Sequence, residues 1–183
     1  MWINLATQYY VAGRFASTAG LVPVYGNLFH HAIELYLKAI LASTLSKKQL
    51  KQRWHHLDQL WEEVKSQHAT MNLSRFDGTI RALHRFEDVR YPNEAGMIAS
   101  LMPPGSQQGV TLMVGPLPST LPHAHEVHVA EIDELVVELV RLLVPPGYVP
   151  SALLSLTDEG LRALKHENQM ASRWFDTALS GSA

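Results

Sequence analysis

The stretch Asn27-Leu28-Phe29-His30-His31-Ala32-Ile33-Glu34-Leu35-Tyr36-Leu37-Lys38-Ala39-Ile40-Leu41 decides the fold class. Ten of its residues are apolar, and neither proline nor glycine interrupts it. At about 100° per residue, Asn27, His30, His31, Glu34 and Lys38 fall within one arc of about 100°. Within that arc His30, Glu34 and Lys38 stack at i, i+4 and i+8. A helix with so little polar circumference belongs in the middle of a bundle. The polar arc reads either as a narrow solvent-facing stripe or as a seam facing a cleft or a second subunit.

Further helices flank this one. Residues 2–19 form a helix with Gly13 as the sole interior breaker, and Leu21-Val22-Pro23-Val24-Tyr25-Gly26 reads as a turn. Asn27 is placed to cap the central helix, which extends to about Thr44. Ser46-Lys47-Lys48-Gln49 is a capping-box pattern that opens a short third helix. A fourth spans about Leu57–Ser66, and a fifth runs from about Leu73 to Arg90, where Pro92 stops it. Residues 91–126 hold six of the ten prolines, with two strand-like runs, Met97–Leu101 and Val110–Val114, joined by Pro103-Pro104-Gly105. They predict a small hairpin or structured loop. Helix returns at about Glu131–Leu143, Pro145-Pro146-Gly147 breaks the chain, and a last helix is expected at about Asp158–Phe175. The expectation is one domain over 1–183: an all-α, up-and-down helical bundle with a β-hairpin or loop insert at 91–126 and a C-terminal helical arm at 147–183.

Composition narrows the function. Hydrophobic residues make up 46% of the chain and charged residues 17%. That balance excludes a disordered chain. The formal net charge of −2 argues against a DNA-binding protein of strongly basic type. With no cysteine there is no disulfide, thiolate metal site or cysteine nucleophile. Ten histidines would carry the charge from −2 to +8 on full protonation. The N-terminus lacks the basic region of a secretory signal, and no run of about 20 apolar residues suggests a membrane span. A soluble, cytoplasmic protein without membrane partner is expected.

Charges recur where core residues belong. Phe76, Ile80 and Leu83 define the apolar stripe of the fifth helix, and Glu87 and Arg90 continue it. A charge carried inward must be paired. Glu34, Lys38 and Arg14 are the partners to expect, so Arg14, His30, Glu34, Lys38, Glu87, Arg90 and Tyr91 make a candidate polar cleft. The alternative is that the helix ends early and Glu87 and Arg90 emerge into water.

Two other groups stand out. Lys47, Lys48, Lys51 and Arg53 form a basic cluster, in a first third (residues 1–60) with six basic and two acidic residues. It reads as a solvated helix or as a phosphate-contacting patch, with Trp54 and Trp61 near enough to stack on bases. His123-Ala124-His125-Glu126-Val127-His128 is the densest set of metal-ligand residues. On a strand, however, His123 and His125 share one face while Glu126 and His128 share the other. His123, His125 and His128 are therefore a weak metal candidate, and no cofactor is expected. There is no phosphate-binding glycine loop, dinucleotide fingerprint, G-x-S-x-G elbow or H-E-x-x-H.

In order, His30–Leu41, His56-Leu57-Asp58-Gln59-Leu60 and Phe86-Glu87-Asp88-Val89-Arg90-Tyr91-Pro92 resemble the HEPN superfamily of helical-bundle proteins. The first is similar to the family's central helix with its Glu and Lys-Ala-x-Leu. The second is similar to its His-Asp-Leu segment, with Leu and Asp transposed, and the third to the Glu-x-x-Arg-Tyr end of a later helix. The resemblance covers roughly Tyr9–Pro92. It implies an up-and-down bundle that often dimerises, and in many members a metal-independent endoribonuclease whose motif is an Arg followed, after four to six residues, by a His. None of the nine arginines here has that spacing; at Arg90 the histidine positions hold Ala95, Gly96 and Met97. The resemblance thus implies a divergent, non-catalytic binding or interaction module with nucleotide or RNA as ligand. The alternatives are a ribonuclease of toxin or defence type using Arg90 with a distant His, and a histidine-based metal-dependent hydrolase. Apolar residues over more than one face of the helix at 131–143, and Tyr9, Tyr10, Val11 and Phe15 on the first helix, argue for a homodimer, unless the insert covers them.

Overall fold

The computed structural model describes residues 2–22, 24–52, 56–90, 97–102, 110–114, 124–145 and 148–171; the side chains of 51–52, 87–90, 97–102, 110–114 and 124–125 lie outside that description. The helices are α1 (Trp2–Thr18), α2 (Val24–Leu41), α3 (Lys47–Gln52), α4 (Leu57–Gln67), α5 (Asp77–Arg90), α6 (Val129–Leu143), α7 (Ser151–Leu154) and α8 (Asp158–Lys165). Between α5 and α6 come strands β1 (Met97–Met102), β2 (Val110–Val114) and β3 (Ala124–His128).

The central helix has the neighbours its composition demands. α2 packs against α1, α4, α5 and α6. Phe29, Ala32, Ile33, Tyr36, Leu37 and Leu41 have no solvent exposure. Two glycines permit the closest approaches. A Cβ at Gly13 of α1 would lie 2.7 Å from the Phe29 ring, and one at Gly26 of α2 would fall inside the buried Phe86 ring of α5. Gly26 is therefore a packing residue, and α2 starts before Asn27: Tyr25 N–H already donates to Leu21 C=O at 3.2 Å. The expected cap at Asn27 is corrected to an interior position one turn into the helix.

The capping box at the start of α3 forms in both directions. Ser46 N–H donates to Gln49 Oε1 at 2.9 Å, and Gln49 N–H to Ser46 Oγ at 3.3 Å. On α4, Leu57, Leu60, Trp61 and Val64 are buried at i, i+3, i+4 and i+7. Trp61 Nε1–H and Lys65 Nζ both donate to Asp77 Oδ1, at 2.7 and 2.9 Å, tying α4 to the first turn of α5. Phe76, Ile80 and Leu83 are buried along the stripe read from the sequence, and Phe86 is buried as well.

The insert is a three-stranded sheet of order β2-β1-β3. β1 and β2 are antiparallel, with Ala99 opposite Leu112, as the two strand-like runs suggested. β3 is the unexpected member. It pairs parallel to β1, Ala99 opposite His125 and Met102 opposite His128. Alternation along β3 buries Val127 and leaves Glu126 and His128 toward solvent. The connection at Pro103-Pro104-Gly105 lies outside the described residues.

Two sequence expectations need correction at the C-terminal end. First, α6 leaves no broad apolar face uncovered. Val129, Ile132, Leu135, Val136, Val137, Leu139 and Val140 are all buried within the chain. Leu142, Leu143 and Val144 are partly so. Second, the last helix is broken. α8 ends at Lys165. Glu167 has a φ of 51°. That is the left-handed region, which an α-helix cannot carry. The architecture is nonetheless the all-α helical bundle that the periodicity implied. Among the described residues no helix is long and apolar enough to cross a membrane.

Candidate functional site

The polar arc of α2 faces into the bundle, and it turns a charge pair toward a cavity. Glu34 and Lys38 are buried, at 1% and 6% exposure, and Lys38 Nζ is ion-paired with Glu34 Oε1. The other carboxylate oxygen, Oε2, lies 3.5 Å from His31 Nδ1 and 4.0 Å from His30 Nε2. On the far side of its ring, His30 Nδ1 is 2.9 Å from Leu83 C=O. A carbonyl only accepts, so that nitrogen carries the proton and holds the imidazole between α2 and α5. His31, at the surface end of the group, meets the Tyr9 ring edge-on at 4.6 Å.

Next to this pair is a cavity of about 270 Å³ lined by Trp2 of α1, His31, Glu34, Leu35 and Lys38 of α2, and Lys47 and Leu50 of α3. Leu50 is buried and Trp2 and Leu35 are half-buried, so the walls are apolar. Glu34 and Lys38 offset each other's charge, and Lys47 is exposed at the rim. An apolar chamber with a few convergent polar groups is the usual form of a small-molecule site. This one suits a flat or apolar body carrying an anionic group.

The residues singled out from sequence are redistributed. His30, Glu34 and Lys38 come together as one group. Lys47 leaves the basic cluster to join them at the cavity, whereas Lys48 is exposed and does not line it. The side chains of Lys51, Glu87 and Arg90, and all of Arg53 and Tyr91, lie outside the described residues, as do Trp54 and His123; the backbone of α5 is helical through Arg90. Of the histidine-rich segment, His125 sits on β3 with its side chain undescribed, and His128 Nε2 is 3.3 Å from its strand neighbour Glu126. Among the described residues no group of three or more His, Asp or Glu is placed to hold a metal ion.

Arg14 belongs elsewhere, which corrects its assignment to the cleft. It is 1% exposed and points toward α6 and the C-terminal segment. Nη1 is 3.4 Å from Asp133 Oδ2, and Nη2 donates to His166 C=O at 2.6 Å. Tyr10 Oη donates to Asp133 Oδ1 at 2.7 Å and accepts from Asn168 Nδ2 at 2.8 Å. Burial pushes the Asp133 carboxyl up to about 6, against the opposing pull of Arg14 and of the Tyr10 hydrogen bond. Burial, then the adjacent carboxylate, raises Tyr10 well above its ordinary value, so it stays a neutral donor. The sequence carried one usable signal for this network. Asp133 falls on the stripe of Val129, Val136 and Val140, where an apolar residue belongs. The cavity walls Trp2 and Leu50 carried none, because an apolar residue lining a cavity has the same helical spacing as one filling a core.

No protein-family model matches the chain, and no curated protein or solved structure matches it.

Proposed function

We propose that this chain is a divergent HEPN-like binding module that takes a nucleotide, free or in single-stranded RNA, in the cavity between α1, α2 and α3, and does not cleave it. The observation that carries the reading is the lining of that cavity: Trp2, Leu35 and Leu50 offer an apolar wall for a base, beside the exposed Lys47 for a phosphate. Base stacking on aromatic and apolar side chains with a cation on the backbone is the common mode for unpaired nucleotides. The module acts in the cytoplasm as a homodimer.

Calorimetric titration with nucleoside monophosphates and a short single-stranded RNA tests it. Wild-type protein should bind, and Lys47→Glu should weaken binding at least tenfold. Lys48→Glu, one residue outside the lining, should change it little. No heat with any nucleotide, or equal binding by Lys47→Glu, would sink the reading. RNA cleaved in the presence of a chelator would replace it with the ribonuclease alternative.

A further inference from the structure

We propose that the outward stripe of α1 is the surface on which a second copy of this chain docks. The proposal rests on the homodimer reading above and names its face. The exposed positions along α1, before its last residue Thr18, are Leu5, at 43%, Gln8, Ala12 and Phe15, at 38%. Their spacing alternates three, four and three residues, which is the seam of a helix that packs on another helix. A helix whose outward face meets only water carries charged and polar residues there. Here the outward face is Leu, Gln, Ala and Phe.

The charge pattern selects the occupant. Arg14 is the single charged side chain among residues 2–18, and it is buried in the Asp133 network on the other side of the helix. In a two-fold interface each residue meets its own surface patch, so a charged seam repels itself and an uncharged one does not. A charged partner would find no counter-ion on this seam. A lipid surface is held by lysine and arginine along the flanks of such a helix, and the one cation of α1, Arg14, is buried. Ala12, in the middle of the stripe, lets two helix axes come close.

Size points to the same face and its surroundings. α1 has 17 residues, so it is about 25 Å long at the rise of an α-helix. One such helix against another buries less than the roughly 800 Å² per partner of a standard interface. Leu21 and Val24, half exposed where α1 turns into α2, extend the apolar surface at one end. At the other, Ser151 N–H donates to Asn4 Oδ1 at 3.1 Å, where α7 packs against α1, and Leu154 of α7 is 73% exposed.

The chain has no cysteine, so a single introduced thiol reports the geometry cleanly. Light scattering after size exclusion should give about twice the 20.4 kDa chain mass. The double variant Leu5→Glu with Phe15→Glu should run as a monomer with an unchanged circular dichroism spectrum. Under mild oxidation Ala12→Cys should form a disulfide-linked dimer, and Ser66→Cys, on the exposed side of α4, should not. A monomeric wild type overturns both the dimer and its face. A dimer that survives the two glutamates, or Ala12→Cys linking no faster than Ser66→Cys, overturns the face and leaves the dimer standing.

Discussion

Asp133 is a carboxylate in the place of a core residue, and its protonation is coupled to folding. The group is 3% exposed and its folded value is about 6, against 3.8 for the ordinary side chain. The folded state therefore holds its proton more tightly than the unfolded state between those two values. It follows that this group's contribution favours folding most below about pH 4 and weakens as pH rises through 6. Asp133→Asn keeps an acceptor for Tyr10 and removes the titration. Relative to wild type it should gain on the order of 1 kcal/mol of stability between pH 5 and pH 8, read from paired urea melts. Subtracting one protein from the other cancels every group common to both. Arg14→Ala acts on the partner. It should cost about 3 kcal/mol at pH 8, where Asp133 is left charged and buried, and less at pH 5, where Asp133 takes up a proton. An equal cost at both pH values would show that Asp133 does not titrate in this range. The i, i+4 pair Glu34–Lys38 was legible from sequence because helical spacing alone sets it. The Arg14–Asp133 pair was not, because its partners are 119 positions apart and only the tertiary fold brings them together.

Among the elements, α2 is the one whose packing was most nearly written in its sequence, and its start is where that reading failed. Pro23 and Gly26 look like turn residues, yet Gly26 is there because the Phe86 ring occupies the space of its side chain. Gly26→Ala should accordingly destabilise by about 2 kcal/mol, since the overpacking cost exceeds the gain in helix propensity. Gly78, in the first turn of α5, has nothing within 4 Å of its missing Cβ. There the propensity term acts alone, and Gly78→Ala should stabilise by roughly 0.5–1 kcal/mol. A denaturation midpoint that rises in Gly26→Ala, as it should in Gly78→Ala, would refute the packing role of Gly26. β3 escaped sequence reading for a related reason. Its alternation of Glu126, Val127 and His128 is a strand signal of only three residues, and parallel pairing with β1 leaves no local turn to mark it.

At the scale of the whole molecule, the first helix and the last described segment hold each other. Besides the tie from Asn4 to Ser151, Arg14 reaches His166 C=O and Tyr10 reaches Asn168, contacts spanning 147 to 158 positions. Asn168 is 2% exposed and serves twice, donating to Tyr10 and accepting from Ala171 N–H at 2.9 Å. Glu167, just before it, is held in a left-handed conformation. That conformation costs a non-glycine residue about 1 kcal/mol or more. The segment keeps it because the bonds on either side outweigh it. If so, α8 does not unfold on its own ahead of the bundle; it is released when the Arg14–Asp133–Tyr10 network opens. Asn168→Ala should then lower the stability of the entire chain by about 1–2 kcal/mol, leaving Tyr10 Oη with one bond fewer and the Ala171 amide without its acceptor. The melt should remain a single transition when followed by both far-ultraviolet circular dichroism and tryptophan fluorescence. Two separated transitions in the wild type would mean that the C-terminal segment is an independent unit, and that the strain at Glu167 is borne by α8 alone.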